Sequence, residues 1–119
     1  MISQNRGLMR FAQAWKFSKQ GLKAAYANEE AFRQEIWIGV LLIAVAPFVA
    51  ENALEFALLV GCILLVYIVE LLNSAVEAAI DRIGSEQHEL SGRAKDMGSA
   101  AVTFALINVA IVWICVTFG

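Results

Sequence analysis

Charged residues are scarce in this 119-residue sequence, and the cysteine and nucleotide-binding patterns of common soluble enzymes are missing. Charged residues make up 17% of the chain, against about 25% in an average soluble domain. Cys62 and Cys115 lie in apolar runs without the CxxC or Cys/His spacing of a zinc site, so we interpret both as small buried hydrophobes. No GxxxxGK(S/T) or GxGxxG loop occurs, nor an HRD or DFG signature. These absences exclude a cysteine-based zinc module and a conventional nucleotide-binding loop.

The chain is rich in long apolar runs. Hydrophobic residues make up 60% of it and the mean hydropathy is +0.66, which is typical of a membrane protein. The length predicts a single domain, residues 1–119. We predict transmembrane helices at about 32–50, 54–79 and 97–118. The first is short, and Pro47 lies near its far end, where a kink costs least.

The first 30 residues contain a different pattern, in which apolar residues recur at helical steps among basic ones. Leu8, Phe11, Trp15, Leu22 and Tyr26 form this apolar set. We predict an amphipathic helix at about 6–27 that lies in the membrane interface, the alternative being a soluble helix packed on its own protein. We expect no cleavable signal peptide, because the first 23 residues have no continuous apolar core.

The distribution of basic residues predicts the orientation. All nine Lys and Arg lie before Ile36 or between Arg82 and Lys95, and the ENALE link between the first two spans has none. The positive-inside rule therefore predicts that the N-terminus and the 81–96 segment face the cytoplasm. The net charge of −2 indicates no particular partner, and we expect no nucleic-acid binding.

Four polar residues interrupt the second apolar run at helical spacing: Glu70, Asn73, Glu77 and Asp81. Steps of three and four residues put them on one helix face. Asp81 is then expected in the headgroups or water, and Glu70 about 16 Å deeper, near the inner boundary of the hydrocarbon. Carboxylates at such depth are costly and usually functional, whereas Asn73 alone could be a structural contact between helices.

We predict a homo-oligomer from the same helix. A single chain has too few spans to enclose a polar stripe, and the neighbouring small residues permit close helix approach. These small residues are Ser74, Ala75, Ala78 and Ala79.

The segment 82–100 is predicted to be a loop, since its glycines and serines permit tight turns. Arg82, Arg93 and Lys95 could bind phosphate, although the residues alone leave phosphate binding open, and His88 by itself is read as an ordinary loop histidine. Before the first span, NEEAFRQE adds a second acidic cluster. Glu77 with one of its glutamates would suit Mg²⁺, which takes one or two carboxylates plus substrate phosphates; a solvated acidic turn is the alternative.

Two stretches, EAFRQE and VELLNSAVEAAIDRIGSEQHELSGRAKDMGSAAV, closely resemble the prokaryotic integral-membrane diacylglycerol kinase family, in its Gram-negative branch. The resemblance extends from Arg10 to the end of the chain. It implies an all-α membrane protein with three transmembrane helices and an N-terminal surface helix, assembled as a homotrimer with composite active sites. It further implies a bacterial inner-membrane enzyme, with its active site on the cytoplasmic side, that uses ATP and Mg²⁺ to convert 1,2-diacylglycerol to phosphatidic acid.

The resemblance also implies roles for individual residues. Glu70 matches the general base, Asn73 an essential polar residue of the same site, and Glu29 and Glu77 the carboxylates that hold Mg²⁺ on ATP. The positions that match ATP contacts are Arg10, Phe17, Glu29, Glu77, Glu86, Gln87, His88, Lys95 and Asp96. The family usually has tyrosine at the position of Phe17. The positions that match lipid contacts are Arg10, Ala14, Trp15, Lys16, Phe17, Ser18, Lys19, Lys23, Ala24, Ala25, Tyr26, Ala31, Phe32, Arg33, Gln34, Glu35, Glu70, Ser99 and Trp113.

Two other functions remain open at this point. Undecaprenol kinases share the glutamate–asparagine–glutamate pattern, so the lipid alcohol could be undecaprenol. An ion-coupled transporter could also use intramembrane glutamates, as proton relays. Against a transporter, the acids gather at one interface, and the first and third spans contain no polar path.

Overall fold

The computed structural model describes residues 2–84 and 88–119, with side chains from Arg6 onward. The described residues form four α-helices: α1 (Ile2–Asn28), α2 (Glu30–Val49), α3 (Ala53–Ile83) and α4 (Glu89–Phe118). Among the described residues, α2, α3 and α4 are long and apolar enough to cross a membrane. The predicted all-α fold with three transmembrane helices and an N-terminal helix is confirmed.

The three long helices form a thin bundle in which α3 packs against both α2 and α4. Its small core consists of apolar side chains from all three: Phe32, Ala46, Leu59, Cys62, Ile63, Val66 and Ala105. Cys62 is buried as predicted, whereas Cys115 is exposed, which corrects that prediction. Cys115 lies near the end of α4, which has fewer buried residues than α2 or α3, so an apolar run alone does not imply burial.

A capped turn joins α2 to α3. The side chain of Asn52 accepts a hydrogen bond from the backbone N–H of Glu55 at 2.9 Å. The Glu55 carboxylate in turn accepts from the N–H of Glu51 at 3.0 Å. These bonds satisfy N–H groups that a helix start leaves free, so the acidic ENALE link works as a helix start.

Helix α1 extends sideways from the bundle. The Cα envelope measures 50 × 47 × 22 Å, and a straight α3 of 31 residues is about 46 Å long. The second long dimension therefore comes from α1. Leu8, Phe11 and Trp15 are 70–79% exposed on it, so these apolar side chains do not pack on the rest of the chain.

Two side chains of α2 hold the corner between α1 and α2. Arg33 Nη1 donates to the backbone carbonyls of Tyr26 at 2.8 Å and Ala27 at 3.1 Å, which helix α1 leaves unpaired at its end. Trp37 Nε1 donates to the Tyr26 hydroxyl at 3.0 Å. The direction of α1 is thus tied to the first turns of α2.

The predicted loop at 82–100 is wrong. Helix α3 continues to Ile83, and α4 begins at Glu89. His88 caps the new helix by accepting from the N–H of Leu90 at 3.1 Å, and Arg93 pairs with Glu89 at 3.5 Å. The glycines that indicated turns, Gly92 and Gly98, lie inside α4, where packing against α3 outweighs their low helix propensity.

The single chain leaves an unusually large surface uncovered. Its accessible area is 9044 Å², whereas a soluble monomer of 13.0 kDa is expected to expose roughly 6,300 Å². Much of the excess is apolar, as with Phe48 (89% exposed) and Phe104 (73% exposed). Surface of this kind is suited to contact with lipid or with further copies of the chain.

Candidate functional site

The deepest polar feature is the carboxyl group of Glu70. It is 7% exposed, and it is the one buried charged side chain among the residues that the structure describes. The side chain of Glu35 on α2 lies next to it. One oxygen of Glu35, Oε2, is buried and has no described hydrogen-bond partner. The sequence analysis predicted that neighbouring subunits would have to cover the polar residues of α3. At Glu70 a single chain is enough, because α2 packs over this side chain.

The two neighbouring carboxyl groups can share a proton. A carboxylate only accepts hydrogen bonds, whereas a protonated carboxyl donates one. A hydrogen bond between Glu35 and Glu70 therefore needs one proton held between them. Such a pair can take up or release a proton at a fixed place in the bundle.

Asn73 lies one turn beyond Glu70, and the sequence left its contacts open. Its side-chain nitrogen donates to Oε1 of Glu77 at 3.4 Å. Its oxygen is buried without a hydrogen-bond partner and packs on Gly98 of α4, where a Cβ atom would overlap with it. Asn73 thus connects the Glu77 carboxylate to the contact between α3 and α4.

The polar residues become more exposed along α3. Glu70 is buried, Asn73 and Glu77 are half-buried, and Asp81 is exposed. Asp81 forms an ion pair with Lys95 of α4 at 3.1 Å. We call these four α3 residues the polar ladder. The predicted gradient of burial is present within one chain.

Glu29, the other predicted magnesium ligand, lies on a different element from Glu77. It occupies the break between α1 and α2 and makes no capping bond with its side chain. It lines a mostly apolar groove of about 530 Å³ between α1 and α3, with Ser74 and Ala78 on the far wall. Glu77 itself is not among the residues that line this groove.

Oxygen donors of this type fit Mg²⁺. Within residues 2–84 and 88–119, no cluster of three His, Cys, Asp or Glu side chains is present. Magnesium needs no such cage, because it binds one or two carboxylates together with substrate phosphates and water. The carboxylate of Glu77, oriented by Asn73, is a suitable ligand of this kind.

The remaining predicted nucleotide residues are spread out. Lys95 and Asp96 are exposed near the start of α4, and His88 caps that helix. Arg10 and Phe17 are exposed on the projecting helix α1. Glu86 and Gln87 lie outside the described residues.

The predicted lipid residues divide into exposed and structural ones. The α1 positions are exposed except Ala25, which is 8% exposed and lines the groove. Phe32 is 1% exposed, so in this arrangement it is a core residue that offers no ligand surface. Arg33 is engaged with the α1 carbonyls.

Two more predicted lipid positions lie on α4. Ser99 is exposed there, and its carbonyl accepts a hydrogen bond from Thr103 at 3.0 Å. Trp113 is half-buried with its indole nitrogen enclosed.

Fold and site together define a class: a helical integral-membrane protein with acid–base groups built into one spanning helix. Comparison with known proteins gives the family. The sequence model for prokaryotic diacylglycerol kinase matches residues 16–117. The diacylglycerol kinase of Haemophilus influenzae is 52% identical over 90% of this chain and 91% of that protein. The Escherichia coli enzyme is 50% identical over 95% and 93%, and that of Pseudomonas aeruginosa 45% identical over 95% and 92%. The chain belongs to the prokaryotic diacylglycerol kinase family, and it is an enzyme of the kinase class.

Proposed function

We propose that the protein transfers the γ-phosphoryl group of ATP to the free hydroxyl of 1,2-diacylglycerol, giving phosphatidic acid and ADP. The observation that carries this proposal is the buried Glu70 carboxyl at the inner end of the polar ladder. Glu35 lies beside Glu70. Glu77 lies two turns further along α3, toward the end of α3 that contacts the first turns of α4. One helix therefore offers a proton acceptor for a lipid alcohol and a metal ligand for a nucleotide.

In the proposed reaction Glu70 acts as the general base. It takes the proton from the lipid hydroxyl as the oxygen bonds to the γ-phosphorus, and the bond from that phosphorus to the ADP oxygen breaks. Phosphoryl transfer depends mainly on positioning and charge neutralisation. A membrane helix without a glycine-rich phosphate loop can therefore support it.

Glu77 and Glu29 are the proposed Mg²⁺ ligands. The bound ion would neutralise charge on the ATP phosphates. Asn73 keeps the Glu77 carboxylate oriented through the bond between its Nδ2 and Oε1 of Glu77. The nucleotide itself is proposed to contact Lys95, Asp96 and the segment 86–88, together with Arg10 and Phe17 of α1.

We propose a homotrimer in which subunits share each active site. The large uncovered apolar surface supports this, because further copies of the chain could cover part of it. The whole chain would form one domain in the bacterial inner membrane, with its N-terminus and active site on the cytoplasmic side.

The experiment is a phosphorylation assay on detergent-purified protein with Mg·ATP and a panel of lipid alcohols. We expect labelled phosphatidic acid from 1,2-diacylglycerol. Preferred phosphorylation of undecaprenol in direct competition would reassign the substrate. ATP-independent, proton-driven uptake in liposomes without lipid phosphorylation would refute the kinase reaction and favour a transporter.

A further inference from the structure

Tyr67 is a polar side chain that the proposed reaction does not use. It lies on α3 one turn before Glu70, and its hydroxyl donates to the backbone carbonyl of Ile36 on α2 at 2.9 Å. Ile36 directly follows Glu35. Among the described residues, this is the one hydrogen bond that joins α2 to α3. It therefore lies one residue from Glu35 on one helix and three residues from Glu70 on the other.

The backbone of α2 is shaped to receive this hydroxyl. Gly39 is buried under the tyrosine ring. A Cβ atom at Gly39 would overlap with the Tyr67 hydroxyl and lie 2.7 Å from Cζ of the ring and 3.0 Å from Cγ2 of Ile63. Glycine weakens a helix relative to alanine. Its presence in an apolar spanning helix is explained here by the room that Tyr67 needs.

A hydroxyl fixes the helices in a way that an apolar ring cannot. Apolar packing alone permits neighbouring helices to slide or rotate slightly, whereas a hydrogen bond is lost when the atoms separate by a fraction of an ångström. One residue of slippage along a helix is about 1.5 Å. The bond from Tyr67 to Ile36 thus fixes the register of α2 on α3 at the level of the two carboxyls.

We propose that Tyr67, seated on Gly39, is a positioning residue that holds the Glu35 carboxyl against Glu70. The described hydrogen bond of Tyr67 goes to the Ile36 carbonyl and to neither carboxyl, so Tyr67 acts through the backbone of α2. Its effect on turnover rests on the proposed function, in which Glu70 is the base. Its effect on the geometry of the carboxyl pair does not depend on the proposed function.

The test compares Tyr67→Phe and Gly39→Ala with Gly61→Ala. Gly61 is also a glycine within a spanning helix, but a methyl group added there meets nothing within 4 Å. Two properties are measured on the full-length protein in detergent or bilayers. The first is the kinetic split between kcat and the KM values for lipid and Mg·ATP. The second is the infrared C=O band of a protonated carboxyl, assigned by its disappearance in both Glu35→Gln and Glu70→Gln.

We expect Tyr67→Phe to shift the carboxyl band and to lower kcat about two- to tenfold, the range that corresponds to losing one neutral hydrogen bond, with the KM for Mg·ATP unchanged. Gly39→Ala should reproduce both effects. In the double variant the losses should combine less than additively, since both substitutions disrupt the same contact. Gly61→Ala should leave the band and kcat as they are.

Three results would overturn the inference. The first is an unchanged band and kcat in Tyr67→Phe. The second is an equal loss in Gly61→Ala, which would indicate general destabilisation. The third is the absence of any carboxyl band that depends on both glutamates, which would remove the pair itself. If Glu70→Gln keeps normal turnover while Tyr67→Phe still shifts the band, the proposed function fails and the positioning role stands.

Discussion

The two halves of the polar ladder are built differently. Around Glu70 the neighbouring groups are buried and come from one chain, through Glu35 and the register set by Tyr67. The side chains of Glu77 and Asp81 are half-buried and exposed. Glu77 accepts a long hydrogen bond from the Asn73 amide, and Asp81 forms a surface ion pair with Lys95. The inner half, around Glu70, is preorganised. The outer half, from Glu77 to Asp81, has room for further groups to bind.

This difference suits two substrates of unlike mobility. A preorganised group needs no rearrangement when charge or protons move, which is how fixed polar groups contribute most to catalysis. A nucleotide that must enter and leave requires accessible contacts. The comparison therefore predicts that substitutions in the inner half act on the chemical step and substitutions in the outer half on nucleotide and metal affinity.

Glu70→Gln is expected to have the largest effect. The amide keeps the size of the side chain and removes the base, so kcat should fall by about 10²- to 10⁴-fold, the usual contribution of general acid–base catalysis. Folding should be preserved, because a neutral amide is cheaper to bury than a carboxylate. The measurement is the turnover at saturating lipid and Mg·ATP.

Glu30→Gln is the matched control, since Glu30 is an exposed glutamate at the start of α2 with no proposed role. It should retain normal turnover. Near-normal kcat in Glu70→Gln would remove the distinction between the two halves.

Glu77→Gln comes next. It should raise the Mg²⁺ concentration needed for half-maximal rate by at least about tenfold, the scale reported for perturbed metal sites, and leave the KM for the lipid unchanged. Mg²⁺ titrations at fixed ATP measure the effect. Glu89→Gln serves as control, because its carboxylate is 84% exposed and pairs with Arg93 within α4. An unaltered Mg²⁺ dependence in Glu77→Gln would contradict the metal role.

Much of this architecture was accessible from the sequence. The length of the apolar runs predicts the three long helices. The helical spacing of the polar residues predicts the order of burial from Glu70 to Asp81. Both follow from patterns within single segments. The meeting of Glu35 with Glu70 does not, because it depends on how α2 is rotated against α3. That rotation rests on the contact of Tyr67 with Gly39, which no periodicity encodes.

The error at 82–100 has a similar origin. Glycine and serine indicated turns by their local preferences, but α4 gains its first turns from the His88 cap and from contacts with α3. Tertiary packing outweighs propensity there. The glycine at 98 serves the close contact with Asn73 rather than a bend.

Gly98→Ala should therefore have an intermediate effect. The added methyl group overlaps with the Asn73 oxygen, so the amide must move and Glu77 loses its donor. We expect destabilisation of about 1–3 kcal/mol, the usual cost of overpacking, and a higher KM for Mg·ATP. Thermal unfolding in detergent and steady-state kinetics measure these.

Gly92→Ala provides the comparison, because it adds the same methyl group to α4 in open space. It should be neutral or slightly stabilising through helix propensity. Equal behaviour of the two alanine variants would mean that Asn73 does not depend on Gly98.

Asp81→Asn is expected to have the smallest effect. The pair with Lys95 is short at 3.1 Å, yet its side chains are 46% and 69% exposed, and exposed ion pairs contribute about 0–1 kcal/mol. The loss of unfolding free energy should be below about 0.5 kcal/mol and should shrink further as salt is raised. Since Lys95 is also a proposed nucleotide contact, removing Asp81 should leave kcat unchanged and affect only the KM for Mg·ATP. A large fall in kcat would mean that the outer end of the ladder is as preorganised as Glu70, and that the two halves do not differ in kind.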